Sequence, residues 1–517
     1  MSDYPDSVAF LGQWGRFQQV VFFLLCASIV PNGFGAFNLV FLTDAPGHRC
    51  SVPDVGLTED WRAAIIPVQV VNGNQQLSRC SRFRLDVVRN LSAQGLVPGR
   101  DVNLTDLEQE GCVDGWSYSR DVYQSTIVSE FDLVCSEQWK LTFISTVFFV
   151  GVLLGSFFSG QLSDRFGRKP VLFLTMGVQM VFTFIQVFST SWIMFTVLLF
   201  INGLGQISNF VAALVLGTEI LTGHVRVLYS SMGACLSFTL GYMMLPGCAY
   251  LLRDWTSLLL ALSLPCLAYL PLWWFIPESP RWLLSQGRVE EAESIVRKAA
   301  KWNKVQAPLV IFQDYTVNNK TDLKENPNAF DLLRTSKHSD ISDYDTFCLH
   351  ADPYMSCFIS AAVEVPAYIS GWLVLRYFPR RRSICCSLLL QAVSLFLIQL
   401  VPQTLPYLSI ALEMLAKYFV TITFSMMFAY IAELYPTLLR NTAVGVCSTV
   451  GRLGNCIAPF LITLNTYVLH LPYIIIGTLG CVAALAALYI PESFGQPLPE
   501  TIQQMHKRER WALYTEF

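Results

Sequence analysis

The chain has few charged residues: Asp, Glu, Lys and Arg make up 14% of its 517 residues, and the formal net charge is only −3. This nearly neutral balance gives no support to nucleic-acid binding. Nucleophile motifs, metal-ligand clusters and phosphate-binding loops are also lacking, which argues against an enzyme. Residues 1–19 lack the basic region and small-residue cleavage site of a secretory signal. We therefore expect the first apolar stretch to remain as a helix and the N-terminus to stay in the cytosol.

Hydrophobic residues, by contrast, make up 53% of the chain, and the mean hydropathy is +0.44. A helix needs about 20 predominantly apolar residues to cross a bilayer. Such runs recur along the chain and predict an all-α polytopic membrane protein. Six predicted spans fall in the first half, at 20–42, 141–161, 171–189, 192–214, 227–252 and 258–276. Only five are readable in the second half, at 357–378, 383–401, 406–431, 441–466 and 471–490.

The polar segment 43–140, between the first two spans, has the features of an extracellular loop. It carries two glycosylation sequons, which begin at Asn90 and Asn103. It also carries four cysteines, and an oxidising compartment favours two disulfides over four free thiols. Four cysteines allow three pairings, and the sequence does not choose among them. The disulfide candidates are Cys50, Cys80, Cys112 and Cys135.

Positive charge falls in the predicted cytosolic segments, as the positive-inside rule requires. Basic residues follow the second span at 165–169 and recur at 380–382. Segment 285–303 alternates charged and apolar residues at helical spacing, which predicts a surface helix. The predicted organisation is a cytosolic N-terminus (1–19), an N-terminal bundle (20–276), a central cytosolic loop (277–356), a C-terminal bundle (357–490) and a cytosolic tail (491–517).

The two halves repeat each other at a fixed offset of 214 residues. The matched positions are Glu219 with Glu433, Arg226 with Arg440, and the Pro-Glu-Ser triplet at 277–279 with that at 491–493. The same offset places the turn at 165–169 on the turn at 379–383. Two parallel six-helix repeats are the plan of the major facilitator fold, with substrate bound near the midplane.

By this register a seventh helix should precede residue 355, yet residues 336–357 are polar and no other apolar run follows Ile276. Eleven spans would place the arginines at 380–382 outside, against the positive-inside rule. Either one later segment does not cross, or the chain is a splice or gene-model variant of a twelve-helix parent. We favour the variant, which puts transport activity in question.

The sequence GQLSDRFGRK (160–169) fits the pattern G-x-x-x-D-R-x-G-R-K of a tight cytosolic turn. Its ion pairs are predicted to hold the two halves together at the cytosolic mouth and to break when the transporter opens inward. A simple positive-inside anchor is the alternative. The predicted gating residues are Gly160, Asp164, Arg165, Gly167, Arg168, Glu219, Arg226, Glu433 and Arg440.

Four longer stretches resemble the organic ion transporter family, and within it the carnitine and organic cation branch. They are DYPDSVAFLGQWGRFQ, QLSDRFGRK, WWFIPESPRWLLSQGR and AELYPTLLRN. The resemblance runs from residue 3 to about 505 with a gap at 336–352. It implies twelve helices, a glycosylated outer loop, alternating access and uptake of carnitine or small organic cations, often by symport with Na⁺. Beyond a Na⁺ coupling ion, no cofactor is expected.

Ionisable residues inside spans are costly, so each is a candidate functional residue. Family members that carry cations keep a carboxylate at the position of Glu364, and relatives that carry zwitterions or anions place an arginine at that of Arg452. Carnitine needs one site for each charge, and this pair would supply both; a structural pair is the alternative. Lys417 follows Glu413 by one turn, and the two could simply neutralise each other. Further substrate-binding candidates are Tyr368, for cation–π contact, and Gln206 and Asn209, which could instead join helices.

The sequence thus predicts a secondary active transporter of carnitine or small organic cations in the plasma membrane. The alternative is a non-transporting variant that is retained inside the cell or modulates a full-length relative. Thr515, Glu516 and Phe517 fit the C-terminal ligand of a PDZ domain, a protein partner beside the small-molecule substrate and the lipid bilayer.

Overall fold

The computed structural model of the protein describes residues 4–53, 56–71, 74–312, 353–402, 405–434, 449, 451–461, 471–488 and 492. Within these residues, nine helices are long and apolar enough to cross a membrane. They are Arg16–Leu42, Cys135–Phe166, Arg168–Gln186, Trp192–Ile220, Gly223–Leu251, Trp255–Trp274, Pro353–Tyr377, Arg380–Ile398 and Tyr407–Met427. Leu471–Ala487 is a shorter apolar helix, and residues 451–461 are also helical. The all-α polytopic prediction is confirmed, and the first six spans lie within a few residues of their predicted positions.

Some spanning segments consist of more than one regular element. Gly223–Leu251 joins an α-helix (Gly223–Leu228), a π-helical turn (Tyr229–Gly233) and a second α-helix (Ala234–Leu251). Trp255–Tyr269 continues into the 3₁₀ turn Leu270–Trp274. Shorter α-helices cover Tyr4–Ser7, Glu59–Ala64, Leu85–Ala93, Ile127–Glu130, Pro280–Ser285 and Val289–Asn303, and 3₁₀ turns cover Ala9–Leu11, Leu104–Asp106 and Cys135–Glu137.

The first and fifth spanning helices cross at a pair of glycines. A Cβ atom on Gly33 would lie 2.1 Å from the Phe238 carbonyl oxygen, and one on Gly241 would lie 2.1 Å from that of Val30. No side chain fits there, so glycine is required at both positions. Small residues at such crossings let helix backbones pack closely in a bilayer, where burial of apolar side chains gives little drive for association.

The internal repeat is visible in the helix boundaries. Trp139–Phe166 and Pro353–Tyr377 begin 214 residues apart, and Trp192–Ile220 and Pro406–Leu434 match at both ends with the same offset. Arg168–Gln186 and Arg380–Ile398 are offset by 212 residues instead. The turn before Arg380 is therefore two residues shorter than the 214-residue register implies.

The chain divides into two compact units, and the smaller one comprises Leu39–Phe143 with Leu251–Leu258. It contains three two-stranded antiparallel sheets: His48–Cys50 with Trp116–Tyr118, Val68–Val71 with Asn74–Leu77, and Ser81–Phe83 with Gln109–Gly111. Trp61, Ile65, Phe83 and Val88 form its apolar core. This unit holds almost all of the predicted extracellular loop 43–140.

The larger unit holds the spanning helices and the described part of the central loop. Helix Val289–Asn303 covers most of segment 285–303, and its buried face packs on Trp282 and Tyr4. Segment 336–352, where a seventh helix is missing from the sequence, lies outside the described residues, as do Arg440 and the tail from 493 to 517. The missing helix and the PDZ ligand therefore stay predictions.

Candidate functional site

Glu364 and Lys417 form an ion pair between two spanning helices of the second half, Pro353–Tyr377 and Pro406–Leu434. The Lys417 Nζ lies 3.2 Å from a Glu364 carboxylate oxygen, and the two side chains are only 9% and 8% exposed. Lys417 Nζ also donates a hydrogen bond of 2.6 Å to the Ser360 hydroxyl, one turn before Glu364. Two opposite charges thus compensate each other inside the bundle, where either one alone would be costly.

The first half of the chain contributes to the same place through helix Ala234–Leu251. The Thr239 hydroxyl donates a 2.9 Å hydrogen bond to the second carboxylate oxygen of Glu364. The ring of Tyr242 lies 4.9 Å from Lys417 Nζ, within cation–π distance. Thr239 and Tyr242 are fully buried. The ion pair therefore lies where helices of both halves meet, which is where the major facilitator plan puts the substrate.

The repeat explains why these helices approach so closely at Lys417. With the offset of 214, Lys417 occupies the position that Gly203 has in the first half. There a Cβ atom on Gly203 would lie 2.8 Å from the Phe148 carbonyl oxygen, so the two helices pack backbone to backbone. The second half has at the equivalent crossing a lysine that reaches an acid on the facing helix. A structural contact in one half is thus a charged contact in the other.

The predicted pairing of Lys417 with Glu413 is wrong in this structure. Glu413 is 5% exposed and accepts a 3.1 Å hydrogen bond from the Tyr473 hydroxyl of helix Leu471–Ala487. Spacing along one helix suggested the local pair, but a better-placed acid on the facing helix takes the lysine.

Of the remaining predicted substrate-binding residues, Tyr368 lies one turn after Glu364 and is 6% exposed. Arg452 is half-buried in the helical stretch 451–461. Glu364 takes its counter-charge from Lys417, so the structure does not bring Glu364 and Arg452 together as one ion pair. Their joint role in binding a zwitterion stays a prediction.

Gln206 and Asn209 belong to a polar cluster inside the first half. Gln206 donates a 2.8 Å hydrogen bond from its amide to the carbonyl of Asn32 on the first span, which is the helix-joining role that the sequence left open. Its own amide oxygen has no hydrogen-bond partner among the described residues, and neither have the side-chain oxygens of Asn32, Asn209 and Gln179. Buried acceptor oxygens of this kind suit a water molecule or a small cation.

The cytosolic turn is organised around Arg168. Its guanidinium pairs with Asp164 at 2.7 Å and with Glu219 at 3.1 Å. Gly167, with φ of 103°, makes the turn into helix Arg168–Gln186. All these contacts lie within the first half, so the described ion pairs do not join the halves, and the gating role stays a prediction. Arg226 is half-buried, Arg165 is exposed, and nothing lies within 4 Å of the Cβ position of Gly160.

Two glutamates of the repeated Pro-Glu-Ser triplet cap the helices that follow the cytosolic turns. Glu278 accepts backbone N–H groups of Arg168 and Lys169 at 3.1 and 3.2 Å. Glu492 accepts those of Arg380 and Arg381 at 2.9 and 3.1 Å. Burial raises the pKa of Glu278, although the backbone donors oppose this shift. The triplets thus stabilise helix N-termini, and they do so in both halves. The Glu433 side chain lies outside the described residues, as does Arg440.

The extracellular unit contains the two expected disulfides, which join Cys50 to Cys112 and Cys80 to Cys135. His48 lies beside Cys80 and Cys135 with ligand atoms close enough for a metal ion. Because both sulfurs are joined in a disulfide, this group cannot supply thiolate ligands. Asn90 and Asn103 are exposed, as glycan acceptors must be.

Sequence reasoning missed Ser360, Thr239, Tyr242 and Tyr473, the neutral residues that hold the buried charges. A weak signal existed for Ser360 and Thr239, since each is a hydroxyl inside an apolar span. Tyr242 and Tyr473 gave none, because aromatic residues in spans are usually packing. Their partners lie 57 to 125 residues away in the chain, beyond any local pattern.

Comparison with known proteins covers nearly the whole chain. The Sugar (and other) transporter family model matches residues 109–337, and the Major Facilitator Superfamily model matches residues 356–512. "Organic cation/carnitine transporter 2" of Rattus norvegicus is 51% identical over 98% of this chain and 94% of its own length, and the Homo sapiens protein has the same values. "Solute carrier family 22 member 4" of Mus musculus is 50% identical over 98% of this chain and 95% of its own length.

Solved structures give the same fold at low identity. The proton:xylose symporter XylE bound to 6-bromo-6-deoxy-D-glucose superposes with a TM-score of 0.60 at 14% identity, covering 93% of this chain and 98% of XylE. The inward open conformation of XylE from E. coli gives a TM-score of 0.59 at 14% identity, covering 94% and 99%.

Proposed function

Because this chain belongs to the organic cation and carnitine transporter branch of solute carrier family 22, in the major facilitator superfamily, we propose that it carries carnitine and small organic cations across the plasma membrane. Members of this superfamily are transporters and not enzymes, and they work by alternating access. The substrate, the coupling ion and the membrane are the proposed parts.

One observation carries the proposal: the buried Glu364–Lys417 pair at the meeting point of the halves. A quaternary ammonium group needs a carboxylate and aromatic faces, and Glu364, Tyr242 and Tyr368 offer these. A carboxylate needs a cation, and Lys417 and Arg452 offer one each. A zwitterion such as carnitine can therefore enter by exchanging the internal pair for two pairs with itself. The net charge of the site stays the same throughout.

The coupling ion we propose is Na⁺, and the polar cluster of the first half supports it. Four side-chain amide oxygens there lack hydrogen-bond partners among the described residues. Replacing Asn209 by Leu, which has a similar volume and no acceptor, is expected to abolish the stimulation of uptake by Na⁺ while the protein still reaches the surface. Stimulation equal to that of the unchanged chain would contradict this role.

The test is uptake of radiolabelled carnitine and tetraethylammonium, with and without Na⁺, in cells that express the full chain, with surface biotinylation to normalise. Glu364→Gln and Arg452→Ala should each lower carnitine uptake at least tenfold, since loss of one partner of a buried charge pair costs about 2–5 kcal/mol. Glu290→Gln, an exposed acid on the central-loop helix, is the matched control. Unchanged uptake in both site variants would refute the two-charge site.

The second candidate function is that of a non-transporting variant, and the polar segment 336–352 favours it. Such a protein would remain in an internal membrane with immature glycans. A surface-labelled chain with mature glycans that still takes up no substrate would mark a modulator instead. Uptake in the assay above removes both forms of this alternative.

A further inference from the structure

Glu413 is a buried acid that the proposed substrate site does not use. Its side chain lies inside helix Pro406–Leu434, only 5% exposed. It accepts one hydrogen bond, from the Tyr473 hydroxyl, and forms no ion pair within the part of the chain that the structure describes. A carboxyl group at such a position is expensive to keep and therefore calls for a role.

Lys417 lies four residues after Glu413, so the two side chains are neighbours on one helix face. Side chains of a helix lean toward its N-terminus, and the Lys417 side chain therefore leans toward the turn that carries Glu413. In this structure it instead reaches across to Glu364 at 3.2 Å. Lys417 thus has two acids within its range, one on the facing helix and one on its own.

A bare organic cation and a zwitterion place different demands on Lys417. When either one brings its ammonium group to Glu364, the lysine loses its partner. A zwitterion also brings a carboxylate, which can take over the lysine. A bare cation brings none, and two positive charges would then share a site from which water is excluded, where their repulsion is strong. Only a second acid within reach of the lysine removes that conflict.

We propose that Glu413 receives Lys417 when a cation displaces it from Glu364. A change of lysine rotamers suffices, because both residues lie on the same helix. Glu413 is then a positioning residue that decides how well bare cations are accepted relative to zwitterions. This role rests on the proposed function, since it requires that substrate ammonium groups bind at Glu364.

The experiment compares tetraethylammonium and carnitine uptake by Glu413→Gln, which keeps the shape and the Tyr473 contact but removes the charge. We expect kcat/KM for tetraethylammonium to fall about tenfold or more, because the lysine charge stays beside the substrate. Carnitine kcat/KM should stay within about twofold, since its carboxylate replaces the missing acid. Glu413→Asp keeps the charge and should restore tetraethylammonium uptake. Glu290→Gln serves again as the exposed control.

A merely structural role for Glu413 would lower uptake of both substrates equally, and that result overturns the proposal, as does unchanged selectivity. If Glu413→Gln stays inside the cell, thermal stabilisation of the solubilised chain by each substrate gives the same comparison. Carnitine should then stabilise the variant and tetraethylammonium should not; equal stabilisation by both overturns the proposal. An unchanged chain that transports neither substrate refutes the proposed function itself and this role with it.

Discussion

The glycine crossing of the first and fifth spanning helices gives a prediction with a control on the same helix. A Cβ atom added at Gly241 would lie 2.1 Å from the Val30 carbonyl oxygen, 0.9 Å inside the 3.0 Å that real Cβ atoms essentially never cross. The obstacle is backbone on a neighbouring helix and cannot rotate away. Nothing lies within 4 Å of the same position at Gly247, which is exposed.

Gly241→Ala should therefore destabilise the protein and Gly247→Ala should not. Overpacking costs up to about 3 kcal/mol at a rigid contact. Alanine returns about 1 kcal/mol of helix propensity. The net loss at Gly241 is thus about 2 kcal/mol, whereas Gly247→Ala should be neutral or gain up to about 1 kcal/mol.

Thermal melting of the solubilised protein, followed by size-exclusion chromatography, measures the first effect, and glycan maturation in cells measures its consequence. Gly241→Ala should melt at a lower temperature and mature less than the unchanged chain, while Gly247→Ala should equal or exceed it. Equal melting of the two variants would refute the argument that the helices touch at this glycine pair.

Three further predictions concern the extracellular unit. Arg82 is 2% exposed and pairs with two acids, so Arg82→Met should strand both charges and lower surface biotinylation; a normal surface level would contradict the pairing. Burial raises the pKa of Asp254, but hydrogen bonds from nearby hydroxyl and amide groups outweigh it and hold the pKa below 3.8. The unchanged chain should thus be more stable than Asp254→Asn above pH 3.8 and lose that margin as the pH falls below 3.8, as thermal melting would show; a margin independent of pH would refute this. Asn90→Gln and Asn103→Gln should each remove one glycan and increase gel mobility, and unchanged mobility would mean an unused sequon.

Hydropathy alone was enough for the spans, because an apolar run in a bilayer has one stable solution, a helix. The prediction 20–42 became Arg16–Leu42, and 192–214 became Trp192–Ile220. The ends moved outward by up to six residues because helices continue through the polar headgroup region, where hydropathy no longer marks them. The 214-residue repeat could be read from the sequence for the same reason, as matched helices keep matched lengths.

Partner choice could not be read in this way. Four extracellular cysteines predicted two disulfides, but the pairing depends on how three small sheets bring distant residues together. Lys417 was assigned to Glu413 by helix spacing, whereas the structure gives it Glu364, 53 residues before it in the chain. Local spacing lists the acids that a lysine can reach along its own helix. Only the packing of helices shows which acid faces it from another one.

The repeat also turns the question of the seventh helix into a test at Arg452. With the offset of 214, Arg452 occupies the position of Phe238, whose ring packs 6.1 Å from that of Phe37 on the first span. By this symmetry Arg452 faces the counterpart of the first span, which is the seventh helix. An arginine left facing lipid would be costly, and its removal would help the chain to fold.

We expect Arg452→Leu to lose carnitine uptake at an unchanged surface level, because the position is covered and the charge binds substrate. A rise in the surface level on replacing this arginine by leucine would show that the charge had faced lipid. The seventh helix would then be missing from the folded chain as well as from its sequence, and the two-charge site would lose one of its walls.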